Sequence, residues 1–352
     1  MNLRVCQGLA AGSLATYSTG QKAFAIFCDL HSLDMWAPTE KTLCEFGAWL
    51  HGTRKVDGPT VTSYITAVRA ALVEAGVQPF DRTDMPRLNR LTKGCARNYA
   101  QLYRERKIRL PITLDILRHL SLSIGSVQAY EESLLWAAIT LAFGAFLRSD
   151  EYTQKTIKAT QTVPPHLSSI QFVGNDGVAL GDLSRLLRLF ERHDSIPSGV
   201  EGMSFFVSKS KTDQRMEGHY VFVARSPDPS FCPLLSMLKF LSIRSTMGMS
   251  VELGSWLFLK RNREPLQYTD MLGGLRHSLR KLGLNPEEYG THSLRIGAAT
   301  LAAHMRVPDA VIQKMGRWNS LCYLRYIRTS VADLLSASSD MFGKSPLSLP
   351  DK

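Results

Sequence analysis

The chain is short of acid. Its 31 Asp+Glu face 42 Lys+Arg, leaving a formal net charge of +11 over 352 residues and a pI near 9.4. That deficit favours a polyanionic partner, nucleic acid before any other, although a basic protein without such a partner has the same bulk numbers. The carboxylates that are present form no cluster resembling a Mg²⁺ site, which argues against a metal-dependent nuclease. No GxxxxGK[ST] loop exists to cradle a nucleoside triphosphate, and no cofactor motif points to a metabolic enzyme. The six cysteines (Cys6, Cys28, Cys44, Cys95, Cys232, Cys322) form no CxxC pair and no His/Cys zinc spacing. They read as reduced, mostly buried thiols of an intracellular protein. A signal-peptide pattern is missing at the N-terminus. The longest apolar run, Leu134 to Leu147, is too short for a membrane span and ends at Arg148, so it reads as a buried core helix. No internal repeat is visible.

What is present suggests two domains. Residues 1–105 read as a helical bundle with no strand signal. Ser13–Leu30 carries Tyr17, Phe24, Ile26 and Phe27 on one face; Thr39 caps a helix through Leu50; Pro59 opens a helix over Thr60–Ala75 that Gly76 ends; a fourth helix covers Met85–Tyr99. Residues 106–111, within the basic, proline-terminated stretch RERKIRLP, read as a linker. A second, mixed domain over 112–336 starts with helices Leu114–Ile124 and Glu131–Leu147. Strands follow at Ser169–Val173, Met203–Ser208 and His219–Ala224, the last two flanking a polar turn as a β-hairpin. Helices resume at Pro233–Ile243, Asp270–Leu282, His292–His304 and Pro308–Met315, with a last one over Tyr323–Leu335. Residues 337–352 read as a loosely ordered tail. The fold class expected is mainly α with a small β-hairpin or sheet in the second domain.

One C-terminal stretch concentrates chemistry. His292-Ser-Leu-Arg295, Gly316-Arg317-Trp318 and Tyr326 supply a proton donor, a cation, an indole N–H and a phenol. His292 and Arg295 lie one helical turn apart and can face one ligand. Arg148, Lys209 and Lys211 add positive charge upstream. Guanidinium groups fork onto phosphate oxygens, and preorganised donors lower a barrier at which negative charge gathers on those oxygens. A tyrosine attacking phosphate forms a covalent intermediate, and a lysine on a mobile hairpin is a suitable acid for the departing oxygen. Taken singly each motif has a bland alternative. HxxR is more often a surface pair, tryptophan is usually core, and hairpin lysines are usually solvated.

In combination and order these motifs resemble the tyrosine recombinase (phage integrase-like) superfamily, over nearly the whole chain. Phe146-Leu-Arg-Ser-Asp-Glu151 resembles the family's first arginine box, giving Arg148 with Glu151 as its supporting carboxylate. Ser210-Lys-Thr-Asp213 resembles the hairpin-lysine motif, so Lys211 is preferred over Lys209. The family nucleophile lies ten residues after a glycine, and Gly316 plus ten is Tyr326; Tyr323 is then a core residue. The family's His/Trp position falls on Arg317 by strict count and on Trp318 by residue type, with Trp318 favoured. The GRW…YLRYIR flavour is similar to the integrase-like recombinases of eukaryotic mobile elements and some large viruses.

The resemblance implies an N-terminal helical core-binding domain and an α+β catalytic domain. It implies site-specific recombination or integration through a 3′-phosphotyrosine, without metal or cofactor. Catalysis would rest on Arg148, Lys211, His292, Arg295, Trp318 and Tyr326, supported by Glu151, Lys209 and Arg317. Double-stranded DNA is the implied partner. Arg54, Lys55, Thr60, Arg87, Arg90 and Lys93 are its candidate contacts in the first domain. A homotetramer on DNA is implied, with Leu334, Leu335 and Phe342 anchoring the C-terminal segment on a neighbouring protomer, docking in cis being the alternative. The expected location is intracellular, without a membrane: the nucleus in a eukaryote, the cytoplasm otherwise. Two other readings remain, a DNA-binding protein of the same fold that no longer cuts, and a type IB topoisomerase-like relaxing enzyme.

Overall fold

The computed structural model describes residues 11–102, 108–125, 129–157, 160–208, 217–329 and 331–343. The chain divides into two compact units, Met1–Lys107 with Thr156–Gln161, and Ile108–Lys155 with Thr162–Lys352. No helix among the described residues is long and apolar enough to cross a membrane. Cys28, Cys95 and Cys232 are buried free thiols and Cys44 is half-buried, but Cys322 is exposed. Cys6 lies outside the described residues.

The described residues of the first unit form four helices: α1 (Ala11–Leu30), α2 (Glu40–Gly52), α3 (Gly58–Glu74) and α4 (Pro86–Leu102). Local caps fix two of the starts. The Thr39 hydroxyl accepts from the Thr42 N–H at 3.2 Å, and the Asp57 carboxylate accepts from the Thr60 N–H at 2.8 Å. Phe24, Phe27, Leu43, Phe46, Leu50, Val61, Ile65, Val68 and Leu88 make its core. Phe24 and Phe46 meet edge to face at 5.0 Å. Ile26, expected on the buried face of α1, is 47% exposed, because Phe24 and Phe27 already fill the inward arc. The unit also takes in a short ladder absent from the sequence reading, β1 (Thr156–Ile157) antiparallel to β2 (Thr160–Gln161).

The second unit is built around α6 (Tyr130–Gly144), buried along Leu134 and Trp136–Phe143 as its apolar run predicts. Before it, Leu114–Leu120 forms α5, and Ser121–Gly125 continues as a π-helical turn rather than α-helix. Then come α7 (Ser149–Tyr152), β3 (Ile170–Val173), α8 (Leu183–His193), β4 (Gly202–Val207) and β5 (His219–Ala224). The three strands form an antiparallel sheet in the order β3-β4-β5, with Phe205 opposite both Ile170 and Val221. The expected hairpin is therefore present; its turn, 209–216, lies outside the described residues. Helix α8 went unread, although Asp182 caps it and Leu186, Leu187 and Phe190 line its buried face.

Helices α9 (Pro233–Thr246), α10 (Tyr268–Lys281), α11 (His292–His304) and α12 (Asp309–Met315) follow. The expected helix over Tyr323–Leu335 is not one helix. Leu321–Arg325 is a 3₁₀ turn started by Ser320, whose hydroxyl accepts from the Cys322 N–H, and the Tyr326 N–H closes on the Tyr323 carbonyl at 2.9 Å. A separate helix, α13, runs Val331–Gly343, so residues 337–343 of the expected tail are helical. The described part of the expected linker, 108–111, is fastened into this unit. The Leu110 N–H donates to the Glu288 carbonyl at 2.9 Å, and Arg109 donates to the carbonyls of Glu287 and Tyr289.

Candidate functional site

Three turns of backbone deliver the site in the second unit. The first is the start of α7. Arg148 is its N-cap residue, two positions after Phe146 at φ +52°. The Arg148 N–H donates to Glu151 Oε2 at 2.8 Å, and its guanidinium donates to Glu151 Oε1 at 3.0 Å. The Glu151 side chain is fully buried and that of Arg148 is 14% exposed.

The second is the first turn of α11, which places His292 and Arg295 on one side. This helix lies hard against the strap at Ile112. The Ile112 N–H donates to the Ser293 carbonyl at 3.0 Å, and a Cβ on Gly297 would stand 1.9 Å from the Ile112 carbonyl oxygen. Arg295 is fully buried. Its guanidinium donates to the carbonyls of Phe146 and Gly316, which ties the first and third turns together, and its Nε has no partner.

The third is the end of α12. The Trp318 N–H reaches back to the Gln313 carbonyl at 3.0 Å and the Arg317 N–H to Lys314 at 3.1 Å, the paired bonds of a helix end that reverses through a left-handed residue. That residue is Arg317, at φ +55°, a conformation usually given to glycine. Gly316 serves a different need, since a Cβ there would lie 1.8 Å from the Trp318 ring. The reversal turns both neighbours inward. Arg317 reaches Glu151 Oε2 at 2.6 Å, and Trp318 lies over Arg295 with the guanidinium carbon 4.3 Å from its ring centroid. Strict count and residue type therefore each locate an inward-facing side chain, and the two do different things. The buried Trp318 Nε1 has no hydrogen-bond partner.

Tyr326 closes the cluster. Its ring is 5.0 Å from His292, 4.9 Å from Trp318 and 5.4 Å from the Arg295 guanidinium. Tyr323 is in the core, 2% exposed. Thr300, two turns beyond His292 on α11, was not singled out in the sequence. Its hydroxyl donates to the Tyr326 carbonyl at 3.1 Å and accepts from the Arg328 N–H at 3.1 Å. The signal was faint: Thr300 is the one hydroxyl in Ile296-Gly-Ala-Ala-Thr-Leu-Ala-Ala303.

The electrostatics are lopsided. Arg148, Arg295 and Arg317 surround the one carboxylate of Glu151, a surplus of two positive charges in a mostly buried cluster. Burial, then the Arg148 charge, lowers the pKa of Arg295 to about 10, and burial lowers that of Arg317. His292 retains substantial surface exposure. Even so, desolvation by the packed side chains around it, followed by the charges of Arg295, Arg148 and Arg328, pushes its pKa down to about 4. His292 is thus neutral at pH 7. The cations beside it repel a second positive charge, so in the free protein this ring is placed to accept a proton. Unpartnered N–H groups on Arg295, Arg317 and Trp318 with surplus positive charge are the chemistry of an anion site.

Lys209 and Lys211 lie outside the described residues. The six candidate DNA contacts belong to the first unit. Arg54 and Lys55 are exposed after α2, with Arg54 4.9 Å over the Trp49 ring. Thr60 is half-buried in the first turn of α3. Arg87 is exposed at the start of α4, its N–H bound to Glu40 at 2.7 Å. Arg90 and Lys93 share an exposed face of α4 with Arg97, a third cation the sequence reading passed over although it continues the same spacing. Among the described residues no group of three or more His, Cys, Asp or Glu side chains could hold a metal ion.

No protein-family model matches the chain, and no curated protein matches it in sequence. Solved structures do match in fold. The XerH site-specific recombinase bound to palindromic difH substrate, a post-cleavage complex, superposes with a TM-score of 0.55 at 15% identity, covering 88% of this chain and 72% of that one. The same recombinase in its pre-cleavage complex gives 0.50 at 16% identity, over 87% and 71%. A Tn1549 transposon integrase bound to transposon right end DNA gives 0.49 at 12% identity, over 88% and 86%. The chain has the tyrosine recombinase fold, mostly helical with a small antiparallel sheet.

Proposed function

We propose that this chain is a site-specific DNA recombinase that cuts and rejoins strands through Tyr326. The observation that carries the reading is convergence. A phenol, a neutral imidazole and a guanidinium capped by an indole stand together, beside surplus buried positive charge, in a recombinase fold. The phenol oxygen attacks phosphorus and forms a Tyr–O–P bond to the 3′ phosphate while the P–O5′ bond breaks. Neutral His292 takes the phenolic proton. Arg148, the guanidinium nearest solvent, binds a non-bridging oxygen, and Arg295 with Trp318 supplies charge and an N–H from beneath. The departing 5′ oxygen takes its proton from Lys211, with Lys209 the alternative. No metal enters this scheme.

In the same reading Arg54, Lys55, Thr60, Arg87, Arg90 and Lys93 hold double-stranded DNA, residues 1–105 serving as core-binding domain and 112–336 as catalytic domain. The exposed Leu334, Leu335 and Phe342 of α13 support docking on a neighbouring protomer in a tetramer, since a helix serving only its own chain would bury them.

The test is covalent capture. A pool of nicked duplexes with randomised cores is incubated with the protein in EDTA, and denaturant-resistant adducts are recovered and sequenced. Wild type is expected to give a Tyr326-linked adduct with a free 5′ hydroxyl, and Tyr326→Phe to bind the recovered sequence without forming one. An adduct that survives Tyr326→Phe and vanishes with Tyr323→Phe would overturn the assignment. Binding with no adduct from wild type would mark a silent DNA-binding protein.

A further inference from the structure

We infer that Thr300 is a positioning residue for the Tyr326 nucleophile, an inference that rests on the function just proposed. Hydroxyls inside helices commonly bond back to the carbonyl three or four residues earlier. This chain does that repeatedly: Thr62 to Gly58, Ser63 to Pro59, Thr66 to Thr62, Thr140 to Trp136 and Ser278 to Gly274. Thr300 departs from that habit. Its hydroxyl leaves its own helix and bridges the backbone on both sides of Ile327, donating to the Tyr326 carbonyl and accepting from the Arg328 N–H, each at 3.1 Å.

The bridge falls where the backbone has least support of its own. Tyr326 ends a 3₁₀ turn, residues 327–329 belong to no helix or strand, and α13 does not begin until Val331. Without Thr300 these groups would turn to solvent and the phenol would lose its register. With it, the nucleophile's backbone is fastened to the helix that carries His292 and Arg295. One rigid element then sets attacking oxygen, proton acceptor and buried cation relative to one another. An α-helix holds such groups far more tightly than a loop, and a misplacement of about 1 Å at reacting atoms costs on the order of 100-fold in rate. The Thr300 hydroxyl is spent on two backbone groups, so its contribution should appear in the cleavage step and not in DNA affinity.

The experiment compares Thr300→Val, which keeps the shape and deletes the hydroxyl, with Thr300→Ser, which keeps the hydroxyl and deletes a methyl. Single-turnover adduct formation on the captured nicked duplex, at saturating protein, is measured beside duplex affinity and the melting temperature. Thr300→Val should slow adduct formation roughly 10- to 100-fold with affinity unchanged. Thr300→Ser should recover most of the wild-type rate. Thr300→Ala gives a second hydroxyl deletion if the valine variant fails to fold. A wild-type rate for Val or Ala would overturn the inference, as would loss of rate by Ser and Val alike. The proposed function fails separately, when wild type forms no adduct or Tyr326→Phe still does.

Discussion

Two arginines of the second unit are equally and fully buried, and they live in opposite surroundings. Arg244, on α9, spends every nitrogen on neighbours: Nε on the Ser250 carbonyl at 2.6 Å, one terminal nitrogen on the carbonyls of Trp256 and Leu257 at 2.8 and 3.0 Å, the other on the Ser255 hydroxyl at 2.7 Å. It laces the loop 248–257 to the helix. Arg295 bonds two carbonyls, leaves Nε bare, and sits among Arg148 and Arg317. Burial of a charge is costly unless its hydrogen bonds are met. Arg244 has a partner for every nitrogen, so it is part of the fold. Arg295 is held short of that, and the deficit is what an arriving phosphate would make good.

The strongest way to break this comparison is to neutralise each arginine in turn. Arg295→Gln should slow adduct formation about 100-fold or more, the usual effect of removing one preorganised donor. Its melting temperature should stay near wild type, because a crowd of like charges is relieved as two hydrogen bonds weaken. Arg244→Gln should do the reverse. It strands buried carbonyls at roughly 1–3 kcal/mol each. The total, on the order of 3 kcal/mol, corresponds to a fall of about 6–12 °C in a unit of this size. Cleavage by the fraction that remains folded should be unchanged. Calorimetry and suicide-substrate cleavage on the two variants decide the matter, and a destabilised but active Arg295→Gln would invert the assignment.

These environments were only partly legible in the sequence. Residue type and spacing singled out Arg148, His292, Arg295 and Tyr326, and the fold brings them together, because HxxR on a helix and the ten-residue interval after Gly316 survive any local detail of backbone. Spacing alone left Arg317 and Trp318 competing for one role. A left-handed φ at Arg317 dissolves the competition, and that angle has no signature in a non-glycine residue. The helix expected under Tyr326 failed for a related reason. Helical periodicity continues through Leu321–Arg325, but the chain there forms a 3₁₀ turn capped by Ser320, with Tyr323 buried beneath it. Thr300 was invisible because its function lies in the direction of one hydroxyl. Helix α8 is a different case. Its apolar spacing and Asp182 cap were readable in the stretch between the first expected strand and the hairpin.

A pH titration sharpens the comparison further, through the group that feels the cationic surplus most. In the unfolded chain His292 has its ordinary pKa of 6.5, and in the folded protein about 4. Between those values the unfolded state binds the extra proton. The stability tied to neutral His292 is therefore complete above pH 6.5 and is lost as pH falls toward 4. Urea midpoints measured across pH 4 to 7 should decline less steeply for His292→Gln than for wild type. A bound phosphodiester, by offsetting the surplus charge, should raise the His292 pKa in NMR titration. A pKa unmoved by DNA would mean that the phosphate lies elsewhere.

The gentlest effect is expected from cations that bury nothing. Arg90, Lys93 and Arg97 fall on one exposed face of α4, within 60° of arc by their helical spacing, and carry neither the full hydrogen-bond set of Arg244 nor the crowding of Arg295. Exposed charges of this kind add little to folding. What they can do is displace counterions from DNA, and that contribution is read in the salt dependence of binding rather than in any single affinity. Each phosphate contact removed should lower the slope of log affinity against log salt by about 0.9. Neutralising all three to Gln should therefore flatten the slope by between two and three contacts' worth, weaken binding for every sequence alike, and leave both the melting temperature and the cleavage rate at saturating protein where they were. An unchanged slope would show that this face of α4 looks away from the duplex, and would shift the first unit's role onto Arg54, Lys55 and Arg87. A changed cleavage rate at saturation would show something else: that a cation in the first unit acts on the chemistry, and that local environment alone does not sort the arginines of this chain.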